Sequence, residues 1–369
     1  MQLIKSANRP AGSTRDRIWE LSFGDLRAAL QEGEFTAVEV LLAWWDKALQ
    51  AHRRTNCVTN FLPEALGVAE ELDEQYRDKA KPVLFGLPFS VKECIDLKGH
   101  VVTAGYAHWL FNRPAERDAL LIEVLKRAGA VPFVRTNLPQ TVGASHCSNP
   151  VYGETCNPHD ETKTSGGSSG GEAALVAASG SPFGLGSDIA GSLRLPAHCC
   201  GVVAFKASSN RLSELGYFNG KMGGIQLLPR WLLHMLSSFD SKAKTVLQNL
   251  PYSISDLQQV YASIYEYRNL FAAKWHAEGL DCLICPVHPS AALPLDRCHE
   301  VGLALDYLLP FNMLDYCAGV VPWTKVTQAD EVTLKDDYKP TDFMGKITKR
   351  SSNPHPDDND NVAEAQNNQ

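Results

Sequence analysis

Two short glycine-rich runs hold the residues of this chain best suited to covalent chemistry. The first reads Ser165-Gly-Gly-Ser-Ser-Gly-Gly-Glu172, the second Gly184-Leu-Gly-Ser-Asp-Ile-Ala-Gly-Ser-Leu-Arg194. Nine of the 27 glycines of the 369-residue chain fall between Ser165 and Gly201. Glycine gathers where backbone must approach a ligand closely or take a positive φ. Serine hydroxyls in such loops become nucleophiles once a positioned base removes their proton. A phosphate cradle is the first reading, but the Gly-Lys-Ser/Thr text and the full dinucleotide spacing are missing. Gly166-Gly-Ser-Ser-Gly170 also matches a Gly-x-Ser-x-Gly nucleophile elbow. An elbow follows a strand directly, whereas His159 to Ser165 is polar, and a triad histidine in a recognisable context is absent. A plain flexible loop leaves unexplained why Ser168 and Ser192, 24 residues apart, bracket one helical run.

The remaining reactive side chains give weaker patterns. Ten cysteines, read as reduced thiols, are mostly small buried apolar groups. Cys282-Leu-Ile-Cys285 has redox spacing but lies in an apolar run ending at Pro286, without a thioredoxin-like context. No second Cys or His pair sits at zinc-site spacing, and the eleven histidines are scattered. The net charge of −7 offers no basic footprint for nucleic acid. No run of roughly 18 apolar residues exists to span a membrane, and Met1–Glu20 lacks the apolar core of a secretory signal. These features predict a soluble, intracellular globular protein, cytoplasmic or peripherally membrane-associated.

The elements that must position these loops follow from periodicity. Thr36-Ala-Val-Glu39 is a capping box opening a helix through Val40, Trp44 and Leu49. A polar helix is predicted over Glu64–Lys81, and a strand over Val83–Val91 that delivers Lys92. Asp118 is the expected cap of a helix with Leu121, Val124 and Leu125, stopped at Gly129. Val131–Val134 reads as a buried strand, a helix starts near Gly171, and Phe183–Ser187 and Val202–Phe205 read as strands. This alternation predicts an α/β fold around a parallel or mixed sheet. Ser213–Gln226 is loop or linker. Leu227–Leu236 is apolar and carries Arg230 and Trp231. A long helix is predicted from Ser255 to Gly279, then a strand at Asp281–Cys285. The tail, residues 351–369, is too polar to fold and is expected to be disordered. No internal repeat is found.

Several segments together resemble the amidase signature family, and within it the branch that hydrolyses fatty-acid amides. Lys92 lies in Gly86-Leu-Pro-Phe-Ser-Val-Lys-Glu93, followed by the Gly-Gly-Ser-Ser-Gly-Gly run and Asp188-Ile-Ala-Gly-Ser-Leu-Arg194. Supporting text includes Thr55–Thr59, Gly129–Val134, Cys147–Pro150, Lys206–Leu212 and Ala318–Pro322. The resemblance implies a mixed β-sheet core flanked by helices, with residues 1–80 as an amino-terminal helical region and 81–350 as the amidase signature domain. It implies a Ser-Ser-Lys triad with Ser192 as nucleophile, Ser168 as bridging serine and Lys92 as base. It also implies a cis peptide at Gly167–Ser168, and no metal or organic cofactor. The chemistry is consistent in itself. A lysine can serve as base only when neutral, which requires burial or neighbouring charge to depress its pKa.

By the same resemblance the oxyanion is held by backbone N–H groups of Ile189, Ala190, Gly191 and Ser192, with Asp188 and Arg194 bracing the loop. Relatives carry glycine where Ala190 stands, so a positive φ there would strain the loop. Val142 and Gly143 are expected beside the acyl channel. Leu227–Leu236 resembles an interfacial cap, as its apolar residues with Trp231 and Arg230 suggest; a buried core helix is the alternative. Small lipid amides, a membrane surface at Leu227–Leu236 and a homodimer are the expected partners, and nucleic acid is not. Relatives carry a long stretch after the Lys206–Leu212 region and a further carboxy-terminal strand and helix. The fold is therefore expected to be incomplete, with an internal segment missing near 213–227. A catalytically silent form that binds membrane or a full-length counterpart is one alternative. The amidase subunit of a tRNA-dependent amidotransferase is another, against which the Cys147–Pro150 text and the apolar cap argue.

Overall fold

The computed structural model describes residues 12–209, 211–217, 253–298, 307–324, 327–330, 333 and 339. Residues 218–227 of the expected gap, the apolar stretch Leu227–Leu236 and the tail 351–369 lie outside the described residues.

The chain opens with α1 (Gly12–Glu20), α2 (Phe23–Glu32) and α3 (Ala37–Thr55). α3 begins as its text requires: the Thr36 hydroxyl accepts from Glu39 N and the Glu39 carboxylate accepts from Thr36 N, a reciprocal box. Its apolar stripe, including Val40, Leu41 and Ala48, is fully buried. β1 (Val58–Phe61) and α4 (Ala65–Gln75) follow, then β2 (Pro88–Lys92), α5 (Leu120–Arg127) and β3 (Val131–Thr136). After the short ladder of β4 (Ser148–Asn149) and β5 (Gly153–Glu154) come α6 (Gly170–Ala177), β6 (Gly184–Leu185), α7 (Arg194–Cys200) and β7 (Ala204–Lys206). Beyond lie α8 (Ile254–Ala277), α9 (Leu309–Met313) and β8 (Ala318–Val320), which pairs antiparallel with β7.

The main sheet has the order β1-β3-β2-β6, antiparallel between β1 and β3 and parallel elsewhere. It is the mixed α/β sheet that the alternation implies. β2 is buried at all five positions, as expected of a central strand with parallel neighbours on both sides. Because β1 lies within residues 1–80 and α3 packs on β2 and β3, the amino-terminal helices share one core with the rest.

Several expected boundaries shift. Residues 83–86 form turns, with Leu84 N–H bonded to Ala128 O, so the strand starts at Pro88 and includes Lys92. The helix expected over Glu64–Lys81 ends at Gln75. The two later strands shrink to Gly184–Leu185 and Ala204–Lys206. Asp118 does not cap α5: its carboxylate accepts from Lys98 N and pairs with Lys126. α8 starts on a Ser253–Asp256 capping box and is followed by Gly279 at φ +62°, near the expected ends. Its apolar face is left open, however, and no residue of the helix is buried. Asp281–Cys285 forms no strand, since no described strand pairs with it, and Ile284 stands 88% exposed.

Candidate active site

Alternation along β2 places Ser90 and Lys92 on one face of the sheet. The amino-terminal end of α6 packs against that face. Gly171 permits this approach, because a Cβ there would lie 2.4 Å from Asn137 N. The Ser168–Ser169 pair thereby arrives over the end of β2. Lys92, with no exposed surface, donates from Nζ to Ser168 Oγ at 2.6 Å, Ser187 Oγ at 2.9 Å and Ser169 Oγ at 3.0 Å. Burial pushes its pKa below the ordinary lysine value, against the opposing pull of Cys94, Cys147, Glu172 and Asp188. A neutral amine keeps two N–H donors and one lone pair, so three hydroxyls still satisfy it when one of them donates in return.

The peptide bond between Gly167 and Ser168 is cis, as the resemblance implies. Ser169 N–H donates to Ser192 O at 2.9 Å, joining the two glycine-rich runs. Ser168 and Ser192 line one cavity of about 560 Å³, together with Val142, Gly143, Ile189 and Ala190. Lys92, Ser168 and Ser192 therefore converge from β2, the loop before α6 and the loop before α7. Val142 holds a φ of +60° at the cavity wall, a left-handed conformation that a β-branched residue rarely takes.

The loop before α7 is braced from its own residues. Asp188 accepts from Arg194 Nε and Nη2, both at 2.9 Å, in a nearly fully buried pair. Arg194 is the main influence holding the Asp188 carboxyl below the usual range despite its burial. The same carboxylate accepts the N–H groups of Gly191 at 2.8 Å and of Leu193 and Arg194 at 3.2 Å. Two expectations change here. The Gly191 N–H is taken by Asp188 Oδ1 at 2.8 Å, so it is committed within the loop and not free for an oxyanion. The positive φ of the loop, +119°, falls on Gly191 and not on Ala190, so alanine is tolerated without left-handed strain.

Further residues complete the site without having been singled out in the sequence. Ser169 and Ser187 share the Lys92 amine; both stand in the glycine-rich runs, which was the available signal. Glu172 accepts from Ser90 Oγ at 2.6 Å and Thr136 Oγ1 at 2.7 Å, and burial raises its carboxyl to about 7. Beside Lys92, the Glu93 carboxylate accepts from Thr103 N and Ala104 N and pairs with the buried Arg135. Asn312 lines the same cavity from α9, and nothing in its surrounding text pointed there. No helix among the described residues is long and apolar enough to cross a membrane.

Comparison with known proteins follows the same residues. The Caenorhabditis elegans protein "Fatty acid amide hydrolase 1" is 29% identical over 491 residues, with 95% of this chain and 86% of that protein covered. An alignment that long passes over more than a hundred positions with no residue of this 369-residue chain. The Emericella nidulans "Acetamidase" is 42% identical, covering 56% of this chain and 38% of its own. A solved "Fatty acid amide hydrolase" superposes with a TM-score of 0.54 at 35% identity, over 56% of this chain and 37% of that one. Outside the nematode protein, then, the chain spans less than half the length of these relatives. The family profile described as "Amidase" matches residues 39–226, just over half of the chain and all of β2, the paired serine run and the Ser192 loop. On that match and this geometry, the chain belongs to the amidase family.

Proposed function

We propose that this protein is a serine amidase that cleaves fatty-acid amides to free acid and amine through Ser192, Ser168 and Lys92. The observation that carries the reading is the fully buried Lys92 amine at 2.6 Å from Ser168 Oγ, with Ser168 and Ser192 on one cavity wall. Neutral Lys92 takes the proton of Ser168 as Ser168 takes that of Ser192, and Ser192 Oγ bonds to the amide carbon. The C–N bond then breaks as Ser168 hands a proton to the leaving amine and recovers one from Lys92. Water attacks the acyl-serine by the same route and releases the acid. Backbone N–H groups of Ile189, Ala190 and Ser192 face the developing oxyanion, where one lost donor typically costs about 10²–10³ in rate.

Relatives named for fatty-acid amides and for acetamide both match. The apolar lining of the cavity by Val142, Ile189, Leu193, Phe205 and Leu212 favours the longer acyl group. Membrane docking through Leu227–Leu236 and homodimer formation remain part of the proposal and rest on the resemblance alone. Purified protein should label with a fluorophosphonate probe and lose the label in Ser192→Ala; label surviving that change rules out Ser192 as nucleophile. Oleamide should be hydrolysed in preference to acetamide, and the reverse order would move the substrate class to short acyl amides. The silent alternative draws support from the open apolar face of α8; an unlabelled protein with a cooperative melt would favour it.

A further inference from the structure

The Ser192 loop is tied to a side chain more than a hundred residues downstream. Asn312 Nδ2 donates to Asp188 O at 2.9 Å and to Asp188 Oδ1 at 3.1 Å, and its Oδ1 accepts from Arg194 Nη2. With the Asp188–Arg194 pair this closes a ring of three side chains around the backbone that leads to Ser192. Leu308, 1% exposed, presses on the same loop: a Cβ at Gly191 would lie 2.4 Å from Leu308 Cδ1. Asn312 also lines the cavity, so the tie sits at the site and not behind it. The charged groups around it are Asp188 and Arg194, which it bonds, Lys206 and Glu214 on the cavity wall, Asp315 close to Lys206, and Arg268, whose Nε donates to Met313 O.

We infer that Asn312 is a positioning residue for the reaction: its amide sets the backbone of residues 188–192, and so the aim of the oxyanion donors and of Ser192 Oγ. The inference rests on Ser192 being the nucleophile. An amide suits the place because it donates to the carbonyl and carboxylate of Asp188 while accepting from Arg194, which neither an ionised carboxylate nor an aliphatic residue can do. A small misplacement of a nucleophile loop costs about 10²-fold when reacting atoms leave their near-attack geometry.

The test compares Asn312→Asp and Asn312→Ala with the parent in fluorophosphonate labelling rate and in hydrogen exchange of the amides of residues 188–194. Asn312→Asp keeps the acceptor for Arg194 but loses the donor and sets a second carboxylate beside Asp188. Its labelling rate relative to the parent should fall about 10–100-fold near neutral pH. That ratio should recover as the pH is lowered and the introduced carboxyl regains a proton to donate. Asn312→Ala should show the same loss with no such recovery, and both variants should exchange faster at 188–194 near neutral pH. Parent-like labelling in both variants, or a loss in Asn312→Asp that ignores pH, overturns the inference. If Asn312→Ala does not fold, the pH response of Asn312→Asp decides alone. An unlabelled parent defeats the nucleophile assignment, and the exchange measurement still shows whether Asn312 holds the loop.

Discussion

The body formed by α1 to α7 with the four-stranded sheet differs sharply from α8. In the first, Leu41, Phe133, Val91 and even Lys92 are without exposed surface. In the second, Leu270, Tyr261 and Ile254 stand 63%, 65% and 78% exposed on a well-capped helix. α3 in the first and α8 in the second both open on a capping box. Among the described residues only the first buries its apolar faces fully, and most helical stability comes from such packing and not from propensity. α8 touches its surroundings through Phe271 and Trp275, whose rings lie 5.6 Å and 5.4 Å from that of Tyr316, and through Arg268 Nε on Met313 O. The proposed catalytic groups depend on the first body: a lysine amine is depressed only where it is dry, and β2 is buried at all five of its positions.

The strongest way to break this contrast is at Lys92. Lys92→Met should lower amide turnover by about 10²–10⁴, the usual worth of a general base, while the protein still melts cooperatively. In the parent, kcat/KM should rise with pH, because the base acts as neutral amine. As pH falls through a Lys92 pKa held below the ordinary 10.5, the amine protonates and activity is lost. A flat profile, or a midpoint at or above the ordinary value, would remove Lys92 from that role.

Next in size is the packing itself. Leu41→Ala in α3 should cost about 2–5 kcal/mol, as fully buried leucines do, read from the shift in urea midpoint. The smallest effect is expected on α8, where Leu270→Ser should stay within about 0.5 kcal/mol. A cost of several kcal/mol there would show that the open face is covered in solution and would erase the distinction between the two regions.

Much of the site was legible because it is written in local text. The Thr36–Glu39 box closes within one helical turn, so its residue types suffice to see it. Lys92, Ser168 and Ser192 stand in short runs whose composition reports close backbone approach, and the structure brings their elements together. Asp118 misled because an acid before an apolar stripe is a cap only when the backbone turns its N–H groups toward it; here Lys98 and Lys126 hold the carboxylate instead. The strand expected at Asp281–Cys285 failed for a related reason. An apolar run describes a willingness to pair, and pairing needs an adjacent edge.

The sequence by itself determined the alternation of helices and strands, the Thr36–Glu39 cap, and the residue types of the chemistry, since these depend on neighbours within a few positions. Only the tertiary structure decided that Lys92 is dry and shared among three hydroxyls, that Gly191 turns its N–H to Asp188, and that Asn312 closes the ring around the Ser192 loop. The first and the last join residues distant along the chain, and the second is a short-range turn within a loop that those distant contacts hold. Their energies come from burial and directed hydrogen bonds, which exist only once the sheet has brought the loops together.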